Sequence, residues 1–100
     1  MPEEKNPLPE MTPISSPISV PVFNIVIHVS QQGGKTLAVV ANLPDLRFEA
    51  SSEPLALKQA ITEVKRRLGQ WHTSGETIPW IDPVPALQAG QQERLVPVHL

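Results

Sequence analysis

The residues in this chain that could do chemistry are few and dispersed. Histidine occurs only at positions 28, 72 and 99. No two stand at the short helical spacing that lets one element offer two imidazoles to a metal. The chain has no cysteine, which excludes a thiolate-bound metal, a thiol nucleophile and a disulfide framework. Gly33-Gly34-Lys35-Thr36 has the look of the end of a phosphate-binding loop. That loop would need a glycine where Val29 stands, and a helix where a β-branched run follows, so a hairpin turn accounts for the glycines better. Asp45, Glu49 and Glu63 fall in a turn, a strand and an exposed helix face. General acid–base chemistry needs carboxylates converging in one pocket, and this spacing does not impose it. Ser52 stands where a helix begins and reads as a cap rather than a nucleophile. The residues therefore predict no enzyme, no cofactor and no metal site.

Lys65-Arg66-Arg67 is a short basic run on a helical pattern. It reads first as a solvated face. Phosphate contact is the alternative, but sheets that bind RNA present stacking aromatics. The two such candidates, Phe23 and Phe48, fall on the face expected to be buried. A sequence pI near 5.8 also lacks the basic excess usual in nucleic-acid binding. RNA binding is accordingly not favoured, and no DNA-binding motif is present to predict DNA contact.

The elements that would position these residues occupy part of the chain. Of 100 residues, 12 are proline, and six of these lie at positions 2, 7, 9, 13, 17 and 21. Residues 1–21 read as an extended or disordered arm, because proline breaks helices and removes ladder donors. Residues 22–100 form the domain. No apolar run approaches the ~18 residues of a membrane span. The first residues lack a basic region followed by an apolar stretch, so no secretory signal is expected and the expected compartment is the cytoplasm.

Val22–Val29 is the clearest strand: Phe23, Ile25, Ile27 and Val29 share one face, and Val22, Asn24, Val26 and His28 share a more polar one. The spacing predicts a turn over 30–35, a returning strand over 35–42, a second turn at Leu43-Pro44-Asp45, and a short strand over 46–50 with Leu46 and Phe48 inward. Ser52 then caps a helix with Pro54 in its first turn. Leu57, Ile61, Val64, Leu68 and Trp71 recur at spacings of 4, 3, 4 and 3, an apolar stripe on one face. Gly75 is placed for a left-handed cap. Residues 76–91, with Pro79, Pro83 and Pro85, read as a long surface connection carrying Trp80. The last strand, over 94–100, holds Pro97, which assigns it to a sheet edge.

The order is β-β-β-α-β, an α+β fold: an antiparallel or mixed sheet, open on one side, with one helix packed on the other. A core of this size rarely supplies more than ~3–5 kcal/mol by itself, so homo-oligomerisation, a dimer in the simplest case, is a physical expectation.

In this order the residues resemble the HicB-like antitoxins of HicA–HicB toxin–antitoxin systems. The resemblance is carried by Gly33-Gly34, by Leu43-Pro44-Asp45-Leu46, by Ser52 before Ala56-Leu57 and Ala60, by Trp71, and by Gly75-Glu76-Thr77-Ile78-Pro79. It spans about residues 22–99. It implies a partial ribonuclease-H-like sheet of order 3-2-1-4, its fourth strand parallel to the first. It also implies a bacterial, non-catalytic protein that covers a small, basic, mRNA-cleaving HicA-type toxin. The alternatives are an orphan of that fold acting as a homo-oligomeric interaction module, or a small RNA-binding domain. The expected partner-binding residues are Asn24, Val26 and His28 on the open sheet face, with Asp45, Arg47 and Glu49 near the third strand.

Overall fold

A computed structural model describes residues 21–100; the proline-rich arm lies outside them except for Pro21. Strand β1 (Val22–Gln32) turns through Gly33 and Gly34 into β2 (Lys35–Val40). The hairpin is tighter than the spacing predicts, because β1 runs on to Gln32 and only the glycines turn. Both have positive φ, 57° and 78°. Two consecutive left-handed residues match the twist of the flanking strands, and only residues without a Cβ adopt them at little cost. Strand β3 (Arg47–Ala50) follows a turn in which Asp45 also takes positive φ. Leu46 is buried just before β3 instead of forming its first residue.

Helix α1 (Glu53–Ser74) begins and ends where the sequence places it. The Leu55 N–H donates to Ser52 Oγ, and Gly75 closes the other end in the left-handed region with its N–H bonded to the Trp71 carbonyl. The helix is rotated relative to the expected stripe. Its fully buried residues are Ala56, Ala60, Val64 and Leu68, while Leu57, Ile61 and Trp71 are only half-buried at the margins. The two alanines explain the rotation: a small side chain lets the helix axis approach the sheet, so the line of closest contact follows Ala56 and Ala60. The helix covers β2 and β3 more heavily than β4. Beneath it lie Ile25, Ile27 and Val29 of β1, Ala38 and Val40 of β2, and Val98 of β4 (Gln92–His99).

The sheet order is β3-β2-β1-β4, and every neighbouring pair is antiparallel. The α+β class, the element order and the edge position of Pro97 are as expected. The direction of β4 is a correction, since the resemblance implies a strand parallel to β1. The physical reason lies in the connection. A parallel β4 would start beside the helix C-terminus and run straight back. Here residues 75–91 first carry the chain to the opposite end of β1, so that Gln92 pairs with Val29 and His99 with Val22. The Trp80 ring packs on Phe23 at 5.8 Å, the Ile81 N–H donates to the Asn42 carbonyl, and the Gln91 N–H closes a turn onto Gln88. Pro79, Pro83 and Pro85 keep this stretch from coiling. It passes over the sheet face opposite the helix, so that face is partly covered rather than open.

Candidate functional site

The face away from the helix carries Val22, Asn24, Val26, His28 and Ser30 from β1, with Leu37 and Val39 from β2. Arg47 and Glu49 come from β3, and Glu93, Leu95, Pro97 and His99 from β4. These positions follow from the pairing registers His28↔Val39, Val39↔Arg47 and Val26↔Leu95, since side chains alternate along each strand. Residues 81–91 lie over part of this face and enclose a cleft of about 590 Å³ with His28, Val39, Asp45 and Arg47 among its walls.

All six residues expected from the sequence therefore sit on this face or at its rim, but they do not form one site. His28, Asp45 and Arg47 line the cleft. Asn24 and Val26 lie further along β1, where Asn24 is exposed and Val26 half-buried. Glu49 borders a separate shallow depression with Leu37, Arg47 and Phe48. His28 requires correction: it is buried, at 4% exposure, and not on an open surface. Its Nε2 has no hydrogen-bond partner among the described residues and lies 3.7 Å from Glu93 Oε2. It is buried because Ile81, Pro85, Ala86 and Gln91 wall the same cleft.

Sequence reasoning missed Asn42. The side chain of this buried residue substitutes for β2 where that strand has ended: Oδ1 accepts from the Val26 N–H and Nδ2 donates to the Asn24 carbonyl, each at 3.0 Å. Its own carbonyl accepts from Ile81 and thereby anchors the crossing segment. Asparagine carries one acceptor and two donors on a short stem, which suits it to mimic a peptide group. An asparagine closing a strand just before Leu-Pro was the available signal.

The charges are sorted between the two sides. On the helix, Glu63 accepts from Arg66 Nε and from Arg67 Nε, both at 3.0 Å. The hydrogen bonds from Arg66 and Arg67 hold its carboxyl at about 2, below the ordinary 4.5. Lys58 and Lys65 remain exposed there, so Lys58, Lys65, Arg66 and Arg67 outweigh Glu63. Glu53 and Arg94 neutralise each other in a two-pronged pair at 2.8 and 3.2 Å that ties the helix start to β4. The hydrogen bond from Arg94 lowers the Glu53 pKa. On the other side the exposed acids Asp45, Glu49, Asp82 and Glu93 outnumber Lys35 and Arg47.

Among the described residues, no group of three or more His, Asp or Glu side chains converges as a metal site. No helix among them is long and apolar enough to cross a membrane. No family model, curated protein or solved structure matches this chain.

Proposed function

We propose that this protein is a non-catalytic, cytoplasmic antitoxin of the HicB-like kind, which binds a small basic mRNA-cleaving toxin and covers its active surface. The observation that carries the proposal is the separation of charge. The rigid sheet face and its crossing segment present Asp45, Glu49, Asp82 and Glu93 against Lys35 and Arg47, while the surplus cations lie on the outer side of the helix. A lysine- and arginine-rich helix would repel a basic partner if it lay in the interface. Placed behind the sheet, with Arg66 and Arg67 occupied by Glu63, it does not face that partner. Complementary charge of this kind chiefly raises association rate and selectivity, and it is weakened by salt.

The test is co-expression with a small basic toxin encoded beside this protein. The two should co-purify and growth should be rescued. Asp45→Lys with Glu49→Lys should weaken capture and slow association, with the parent's rate falling as salt is raised. A toxin that neither co-purifies nor is neutralised overturns the reading, as does a charge-reversed pair that binds like the parent.

A further inference from the structure

We propose that strand β4 is a self-association edge, and that two copies join through it about a two-fold axis at Val96 into one continuous antiparallel sheet with both helices on the same side.

The starting point is the direction in which β4 presents its backbone. The Leu100 N–H donates to the Pro21 carbonyl, and the Ala41 N–H donates to the Val26 carbonyl. Hydrogen-bonding direction alternates along a strand, so Gln92, Arg94, Val96 and Val98 bond to β1. Glu93, Leu95, Pro97 and His99 turn their peptide groups outward, to an edge that no described strand pairs with. Arg94 Nη1 donates to the Glu93 carbonyl there at 3.2 Å, an exposed side-chain bond that a pairing strand would replace. Pro97 sits on this outward set and so costs the β1 ladder nothing. An uncovered edge is a template for another strand, and proteins that need to block one shorten it or load it with charge. The opposite edge, β3, is blocked in this way: it has four residues, and Arg47 and Glu49 stand exposed on it. Strand β4 has eight residues and carries the most exposed large apolar side chain described, Leu95 at 68%.

The occupant that fits is a second copy of the same strand, and the residues select the register. With Val96 on the axis, all four outward residues meet outward residues. Glu93 and His99 of the second copy exchange two hydrogen bonds. Leu95 donates to Pro97 of the second copy, whose missing N–H is the only donor lost, and symmetry repeats each contact. The same register puts the Glu93 carboxylate directly across from the His99 imidazole and sets Leu95 against the Pro97 ring, all on the face away from the helix. An axis at Leu95 would pair Glu93 with Pro97 and leave His99 opposite Gln91, outside the strand. An axis at Pro97 would place two residues without N–H groups opposite each other. On the helix side, α1 covers β4 only lightly, and Val96 remains half-buried. Its copy across the axis would complete that burial. Of the acids on the proposed toxin-binding face, Glu93 enters this seam, whereas Asp45 and Glu49 lie at the opposite, β3 edge of the sheet. The toxin-capture test reads those two, so the two proposals are tested separately.

The test uses the full chain, which contains no cysteine. The parent should sediment at about twice its 11.0 kDa mass. A non-hydrogen-bonded antiparallel pair brings Cα atoms to about 4.5 Å, within disulfide reach. Val96→Cys should therefore oxidise to a covalent dimer, and Leu95→Cys should do so far less. Leu95→Pro removes an outward N–H and no β1 hydrogen bond, and should yield a folded monomer by circular dichroism. His99→Asp should weaken the dimer by bringing like charges together, and Glu93→Lys combined with His99→Asp should restore it. A parent that stays monomeric at its highest soluble concentration overturns the proposal. So does equal cross-linking at positions 95 and 96.

Discussion

Replacing Asn42 by alanine tests whether one side chain completes the sheet. Its amide holds the Val26 N–H and the Asn24 carbonyl, both at 3.0 Å, at a stretch of β1 where β2 no longer reaches. Alanine leaves both groups without their partner. A buried donor stripped of its acceptor costs about 1–3 kcal/mol. Val26 is half-buried, which places its N–H in that range, whereas Asn24 is exposed and water can reach its carbonyl at small cost. The expected loss is therefore about 2 kcal/mol, or roughly 8–16 °C in the melting temperature of a domain this size. Urea and thermal unfolding followed by circular dichroism would measure it. Asn42→Asp adds a sign. The introduced carboxylate still accepts from Val26 but faces the Asn24 carbonyl, to which only its protonated form can donate. Its folded pKa is thus raised above the unfolded value of about 3.9. The stability it contributes is fully present below that value and is lost as pH rises through the folded pKa. An alanine variant within ~0.5 kcal/mol of the parent, the range of an inert surface change, would refute the reasoning. So would an aspartate variant with the parent's pH profile.

Two further perturbations probe the helix. Ala60 is fully buried where α1 approaches the sheet, so Ala60→Leu should overpack the interface and cost about 1–3 kcal/mol by urea unfolding, whereas the same change at the exposed Gln59 should leave stability nearly unaltered. The Glu63 carboxyl is lowered from 4.5 to about 2 by its arginine partners, so its contribution is present above the ordinary carboxylate range and is lost as pH falls from 4.5 toward 2. Glu63→Gln should make the acid limb of the melting-temperature profile shallower than the parent's, and an unchanged limb would show that the two arginines do not hold the charge.

Much of the candidate site was legible by position but not by environment. Alternation along β1 correctly placed Asn24, Val26 and His28 on the face away from the helix, yet His28 is buried there. Alternation reports which way a side chain points; whether anything lies above it depends on where residues 75–91 run. Those residues carry prolines that forbid helix without specifying a path. Asp45, Arg47 and Glu49 were found at their expected exposure because a short edge strand has little to cover it.

What the sequence determined by itself is what short-range physics controls. Two glycines fix the β1–β2 turn, Ser52 and Gly75 bound the helix, β-branched residues extend β1, and Pro97 keeps β4 at an edge. Each effect acts within a few residues of its cause. The tertiary structure alone decided the direction of β4, the rotation of α1 onto Ala56 and Ala60, and the use of Asn42 as a stand-in for a strand. These depend on groups far apart in the chain meeting across the sheet: Trp80 on Phe23, Ile81 on Asn42, Glu53 on Arg94. Such contacts are individually weak and jointly selective, so they leave no local pattern to read before the chain has closed on itself.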